Sequence, residues 1–130
     1  MVRTDFSDDA VWERLRVEVP APTPDEGFVA NVEPVADPDF DGVDEAGLRA
    51  AVPGTYPESY DHQVLFVVDA ATVAAPDHPL LVVNLHEDPE PSFRTTPRAV
   101  QSIENNLSIS NMDYVEFAGA VRPDGVFRGF

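Results

Sequence analysis

VLFVV at Val64–Val68 and LLVVNL at Leu80–Leu85 are two nearly continuous apolar runs in a chain of 130 residues. A strand that is buried on both faces has this composition, whereas a strand with one face in water alternates apolar and polar residues. The runs therefore predict the central strands of a sheet that carries helices on both sides. The connection between them, Ala70–His78, is short for a crossover helix, which favours an antiparallel pair in a mixed sheet and leaves a parallel pair open.

Shorter elements flank these two runs. Further strands are predicted at Met1–Phe6, Phe28–Val35, Ser92–Thr95 and Val126–Phe130, and helices at Ser7–Val19, at Asp44–Val52, after Thr96 and after Ser110 or Asn111. The side-chain oxygens at these helix starts are suitable N-caps, because they accept hydrogen bonds from free N–H groups of the first turn. Phe28–Val35 alternates like a half-buried strand, and Pro34 places it at a sheet edge or ends it.

Together these elements predict one α/β (α+β) domain that spans residues 1–130. We expect a mixed sheet of about five to six strands, packed with about three to four helices.

The charge of the chain is strongly unbalanced. It has 24 acidic and 8 basic residues and a formal net charge of -16, and every basic residue is arginine. Such a chain is repelled by nucleic acid and by anionic membrane surfaces, so neither is an expected partner. A basic protein partner or a cationic small molecule fits the charge, although dispersed acidic residues also serve solubility alone.

Several classes of site are excluded by composition and pattern. The chain has no cysteine, so disulfides, thiolate nucleophiles and cysteine-ligated metals are ruled out. There is no phosphate-binding glycine loop, and the three histidines lack the spacing of a zinc site, so no cofactor and no metal is predicted. No apolar stretch matches a signal peptide or the roughly 18 residues of a membrane span, and a cytoplasmic location is expected.

Polar residues at the predicted strand ends are the first candidate site. Asp5 follows the first strand, Asp69 follows Val64–Val68, and His86 follows Leu80–Leu85. Ligands bind beyond the carboxyl ends of parallel strands, so these three residues are candidate catalytic acid/base groups. The alternative is that the aspartates are turn formers. If the central strands are antiparallel, Asp69 and His86 lie at opposite edges and form no cluster.

A polar stretch and two arginines are the second candidate. Asn105, Asn106 and Asn111 lie between two predicted helices, and their amides offer donors and acceptors to a ligand. The alternative is that Asn106 and Asn111 cap these helices. Arg3 and Arg128, in the first and last strands, either bind an anion or pair with a nearby carboxylate.

Three stretches carry a resemblance to a known family: VRTDFSDD at Val2–Asp9 followed by Trp12, IENNLSISNMD at Ile103–Asp113, and DGVFRGF at Asp124–Phe130. Together they resemble an uncharacterised family of small acidic actinobacterial proteins, defined as a domain of unknown function. The resemblance covers nearly the whole chain and implies a single domain. It brings no activity, ligand or catalytic residue.

Two functional hypotheses follow. The first is an acidic binding domain that docks a basic protein partner, in an inhibitor, immunity or accessory role. The second is a small hydrolase, lyase or isomerase that uses Asp5, Asp69 and His86. Whether Asp5, Asp69, His86 and Asn105/Asn106 converge on one pocket is the observation that distinguishes them.

Overall fold

Five strands and five helices make up the computed structural model, which describes residues 1–130. The strands are β1 (Val2–Arg3), β2 (Val64–Val68), β3 (Leu80–Asn84), β4 (Phe93–Thr95) and β5 (Val126–Phe127). The helices are α1 (Asp9–Glu18), α2 (Glu45–Ala51), α3 (Ala70–Ala74), α4 (Val100–Ser108) and α5 (Tyr114–Gly119), with short 3₁₀ turns at Pro38–Phe40 and Pro97–Ala99. None of these helices has the length and apolar character needed to cross a membrane.

The strands form one mixed sheet in the order β1-β2-β3-β4-β5. The outer pairs β1–β2 and β4–β5 are parallel, whereas β2–β3 and β3–β4 are antiparallel. The predicted fold class is therefore confirmed, and the two apolar runs are its neighbouring central strands. In their register Val64 lies opposite Asn84, so the start of β2 lies beside the end of β3.

Both faces of the central strands are buried, as their composition predicts. Alternate side chains of a strand point to opposite faces of the sheet. Phe66 and Val82 face a large core of 17 buried residues, to which α1, α4 and α5 contribute. Val67 and Val83 face a small core of five buried residues, to which α2 contributes Leu48. We call these the large core and the small core.

Two helix starts follow the predicted capping chemistry, one of them with a shift of position, whereas the Thr96 side chain makes no cap hydrogen bond before the Pro97–Ala99 turn. Asp44 caps α2, as predicted, by accepting from the N–H of Gly47 at 2.9 Å. Asp8, and not Ser7, caps α1, because the Ser7 hydroxyl donates to the Asp5 carboxylate instead.

The last helix begins later than the sequence predicts. Its cap is Asp113, and not Ser110 or Asn111, and Glu116 completes the capping box by accepting from the Asp113 N–H at 2.7 Å. Ser110 has a φ of 54° and ends the preceding helical segment in the left-handed region.

The strand predicted at Phe28–Val35 is wrong. Only Val35 makes a β-bridge, to Val2, and the rest of the segment is irregular. Two of its backbone groups bond to side chains instead: the Asn31 N–H donates to Glu104 at 2.9 Å, and the Val29 carbonyl accepts from Asn105 at 3.0 Å. Its neighbour β1 is two residues long, so it offers no ladder along which the alternating segment can pair.

Candidate functional site

Asp69 lies at the carboxyl end of β2, and both of its carboxylate oxygens accept hydrogen bonds from residues of this chain. It caps α3 by accepting from the Thr72 N–H at 3.0 Å and from the Thr72 hydroxyl at 2.9 Å. The Arg94 guanidinium grips both carboxylate oxygens, at 2.8 and 3.0 Å. Burial raises the pKa of Asp69, but the hydrogen bonds from Arg94 and Thr72 outweigh burial and hold it below its usual range. These four bonds fix α3 and β4 to the end of β2.

Asp5 follows β1, and because β1 is parallel to β2 it lies at the same end of the strands as Asp69. Its carboxylate accepts from the Ser7 N–H at 2.9 Å and from the Ser7 hydroxyl, an arrangement typical of a turn. The hydrogen bond from that hydroxyl is the main reason why the pKa of Asp5 is lowered, and the nearby charge of Asp69 opposes the effect. The two aspartates therefore share an edge, and each carboxylate has its own local partners.

His86 lies at the other end of the β2–β3 pair. The antiparallel register places it beyond Asn84, next to the start of β2. Its ring packs against the Tyr56 ring at a tilt of 57°, with centroids 4.8 Å apart, and Nε2 lies 3.4 Å from the Gln63 side-chain oxygen. The structure thus brings Asp5 near Asp69 but does not bring His86 to them. No group of three histidine or carboxylate side chains in the chain is arranged to hold a metal ion.

Arg3 and Arg128 are both paired with carboxylates. Arg3 is buried, donates to Asp9 at 2.8 Å and lies over the Phe6 ring with its guanidinium carbon 4.5 Å from the centroid. Arg128 follows β5 and pairs with Asp124 at 2.8 Å and Asp77 at 3.2 Å. Anion binding by either residue requires that these pairs break.

The three asparagines bond to side chains and backbone groups of this chain. Asn106 donates to the Ser102 carbonyl at 2.7 Å, and its side-chain oxygen accepts from Asn111 at 2.7 Å. Asn105 connects α4 to the irregular segment through the Val29 carbonyl. Neither Asn106 nor Asn111 is a cap residue, since Ile109 is the C-cap of α4 and Asp113 is the N-cap of α5. Their positions hold the α4–α5 connection in shape.

A groove of about 780 Å³ lies at the start of β2, and we call it the edge groove. It exists because β1 pairs with Val67 and Val68 alone, so Val64–Phe66 have a neighbouring strand, β3, on one side only. The three uncovered residues of β2 line the groove, together with Met1 and Val2.

Both cores contribute to the lining of the edge groove. Ala30 and Leu107 come from the large core, and Leu48, Leu65 and Val52 belong to the small core or pack against it. Fifteen of its 22 lining residues are hydrophobic, which is the character of a binding site and is unusual on a chain of this charge.

Polar side chains lie among the apolar ones at the end of the groove near His86. Tyr56, Tyr60, His62 and Gln63 contribute to the lining. The Gln63 amide donates to the Leu107 carbonyl at 2.8 Å, and this bond fixes the start of β2 to the end of α4. The two tyrosines provide apolar rings with a hydroxyl donor and acceptor, which are frequent in protein interfaces.

Three carboxylates line the groove, those of Glu33, Asp61 and Glu104. No arginine lines it. None of the three takes part in an ion pair. Glu33 and Asp61 are exposed, whereas Glu104 is half-buried and accepts from Asn31 and Asn105. The groove is therefore an apolar surface with an uncompensated negative rim.

The Met1 ammonium group is the one cation at this groove. It donates to the Glu33 carbonyl at 2.9 Å, and burial lowers its pKa to about 6 although Glu33 acts in the opposite direction. At pH 7.5 it is mostly neutral, so it does not cancel the charge of the rim.

Reasoning from sequence missed this groove. Its residues come from separate parts of the chain, and no local motif connects Met1, Glu33 and Leu107. One available signal was the Pro53–Asp61 loop, where two tyrosines and then His62 precede a buried strand directly.

Comparison with known proteins gives one match. A family model described as "Domain of unknown function (DUF6924)" matches residues 1–130. No curated protein and no solved structure matches the chain.

Proposed function

The chain belongs to the DUF6924 family, and we propose that it is a binding domain that docks a basic protein partner in the edge groove. The observation that carries this proposal is the combination of an apolar groove with three rim carboxylates and no arginine in its lining. Apolar contact supplies affinity, while complementary charge selects the partner and speeds its arrival.

The distribution of ion pairs supports a cationic partner. Six of the eight arginines pair with seven of the 24 carboxylates, which leaves 17 carboxylates without an ion pair. Most of the arginines are thus engaged in ion pairs within the protein. The field outside the protein is negative and attracts a positively charged molecule over distances of about a Debye length.

The groove also favours a binding role over catalysis. The strand-end aspartates, which were the candidate catalytic groups, are bonded to Ser7, Thr72 and Arg94 and lie away from it. The carboxylates of the groove lie on its rim, where they attract positive charge. None of them accepts a hydrogen bond from a histidine or a hydroxyl group. Nucleophilic and general acid–base catalysis commonly use such a hydrogen-bonded pair.

A short cationic peptide provides the test. The probe is a capped, fluorescently labelled hexapeptide that alternates arginine and valine, and binding is measured by fluorescence anisotropy at about 0.02 M salt, where charge is weakly screened. The double variant Glu33→Gln/Asp61→Asn should weaken binding about tenfold, as the loss of two exposed charge pairs does.

The matched control is Asp88→Asn/Glu90→Gln. Both residues are exposed, lie between β3 and β4, and do not line the groove, so this variant changes the net charge equally. It should change affinity by less than about twofold, because neither carboxylate lines the groove and charges that are not in contact interact weakly through water. Equal weakening by both double variants, or equal binding of a glutamate–valine peptide, would show attraction to overall charge and overturn the proposal.

A second pair of variants tests the apolar part of the groove. Ala51 lies on α2 and lines the groove, so Ala51→Trp should fill it and reduce peptide binding. Ala46→Trp places the same side chain on an exposed position of the same helix, outside the lining, and should leave binding unchanged.

A further inference from the structure

We infer that the partner enters the edge groove as an extended segment and pairs with β2 as an added strand. This inference rests on the proposed function and specifies how the partner is held. It concerns the three residues of β2, Val64–Phe66, that β1 leaves uncovered.

Backbone groups of β2 point into the groove. The Leu85 N–H donates to the Gln63 carbonyl at 2.8 Å, so residues 63, 65 and 67 turn their backbone groups toward β3. The residues between them turn their backbone groups to the opposite side, toward β1. There the Val68 carbonyl accepts from the Thr4 N–H at 2.9 Å. The intervening residues Val64 and Phe66 therefore present their N–H groups to the open edge. Unpaired groups of this kind are a template for another strand.

The groove walls match the alternation of a strand. Successive side chains of a strand point to opposite faces of its sheet. An added strand would place one side chain against Ala30 and Leu107 of the large core, and the next against Leu48 and Val52 of the small core. An α-helix has a diameter of about 10–12 Å and one apolar stripe, so it cannot use two walls on opposite faces of a sheet.

Main-chain pairing supplies affinity in this mode, and side chains supply specificity. The uncovered stretch is three residues long and spans about 10 Å, so a partner segment of this length is sufficient. The groove walls call for apolar residues at alternate positions. Glu33 and Asp61 call for arginine or lysine on the positions that reach the rim.

The experiment measures hydrogen exchange of individual backbone amides by NMR, with and without a saturating amount of the arginine–valine hexapeptide. Strand addition should slow exchange at Val64 and Phe66 by at least about tenfold, because their N–H groups gain acceptors. The Leu65 amide is the internal control: it already faces β3, so its exchange should change little.

The outcomes separate this inference from the proposed function. If the peptide binds with the rim dependence described above but exchange at Val64 and Phe66 is unchanged, the strand mode is wrong and the binding function stands. If the peptide does not bind, or binds without regard to Glu33 and Asp61, the proposed function falls and the strand mode falls with it.

Discussion

The two ends of β2 carry carboxylates in opposite circumstances. At the carboxyl end, Asp69 accepts four hydrogen bonds from Thr72 and Arg94, and its charge is neutralised within the fold. At the start of the strand, Glu33 and Asp61 border an apolar groove and have no ion pair. In this chain, therefore, the carboxylate with partners stabilises the fold, whereas the two carboxylates beside apolar surface keep an uncompensated charge.

The largest expected difference between the ends is in stability. Asp69→Ala should lower the free energy of unfolding by about 2–3 kcal/mol, because it removes the α3 cap and leaves Arg94 unpaired in a partly buried position. Asp61→Ala removes an exposed carboxylate and should change that free energy by less than about 0.5 kcal/mol. Urea denaturation of both variants measures the two values.

A double-mutant cycle sharpens this test. Arg94→Met should also destabilise the protein, and Asp69→Asn/Arg94→Met should cost less than the sum of its single variants, since each single change already breaks the same pair. Equal losses for Asp69→Ala and Asp61→Ala would contradict the contrast between the two ends.

The next effect concerns pH. The pKa of Asp69 is lower in the folded protein than in the unfolded chain, so its ionised form stabilises the fold. This contribution is fully present above the unfolded pKa of about 3.9 and is lost as pH falls through the lower folded value. The difference in unfolding free energy between wild type and Asp69→Asn should therefore be largest near pH 6 and shrink below about pH 4. Denaturation curves across this range measure it, and a constant difference would be inconsistent with the ion pair.

The smallest effect concerns salt. Raising ionic strength from about 0.01 to 0.15 M shortens the Debye length from about 30 to 8 Å, so the melting temperature of the wild type should rise as its self-repulsion is screened. Glu33→Gln/Asp61→Asn should show a smaller rise, because it removes repulsion at the rim. A fall in melting temperature with salt would mean that attractive ion pairs dominate the charge balance.

The fold was largely predictable because its decisive signals are local. The composition of β2 and β3 indicates burial on both faces, and the Asp44 cap marks α2. The exception is Phe28–Val35, which has the alternation of a strand but no partner strand long enough to pair with. The length of that partner cannot be inferred from the sequence of the segment.

The site was less predictable, for two physical reasons. The rule that ligands bind at the carboxyl ends of strands applies to parallel sheets, and the central pair here is antiparallel, so Asp69 and His86 lie at opposite ends. The edge groove arises from the shortness of β1, and its walls come from residues as distant in sequence as Ala30 and Leu107. Neither feature leaves a motif in the chain.

The two-residue length of β1 also bears on self-association, because it leaves part of the β2 edge open. A stretch of sheet edge without a neighbour is a place where identical molecules join into fibres or amorphous clumps. Two copies that approach through this edge bring Glu33 and Asp61 of each molecule together, on chains that each carry a net charge of -16. That encounter is repulsive, whereas the approach of a cationic strand is not. The charge of the rim thus opposes self-association along this edge.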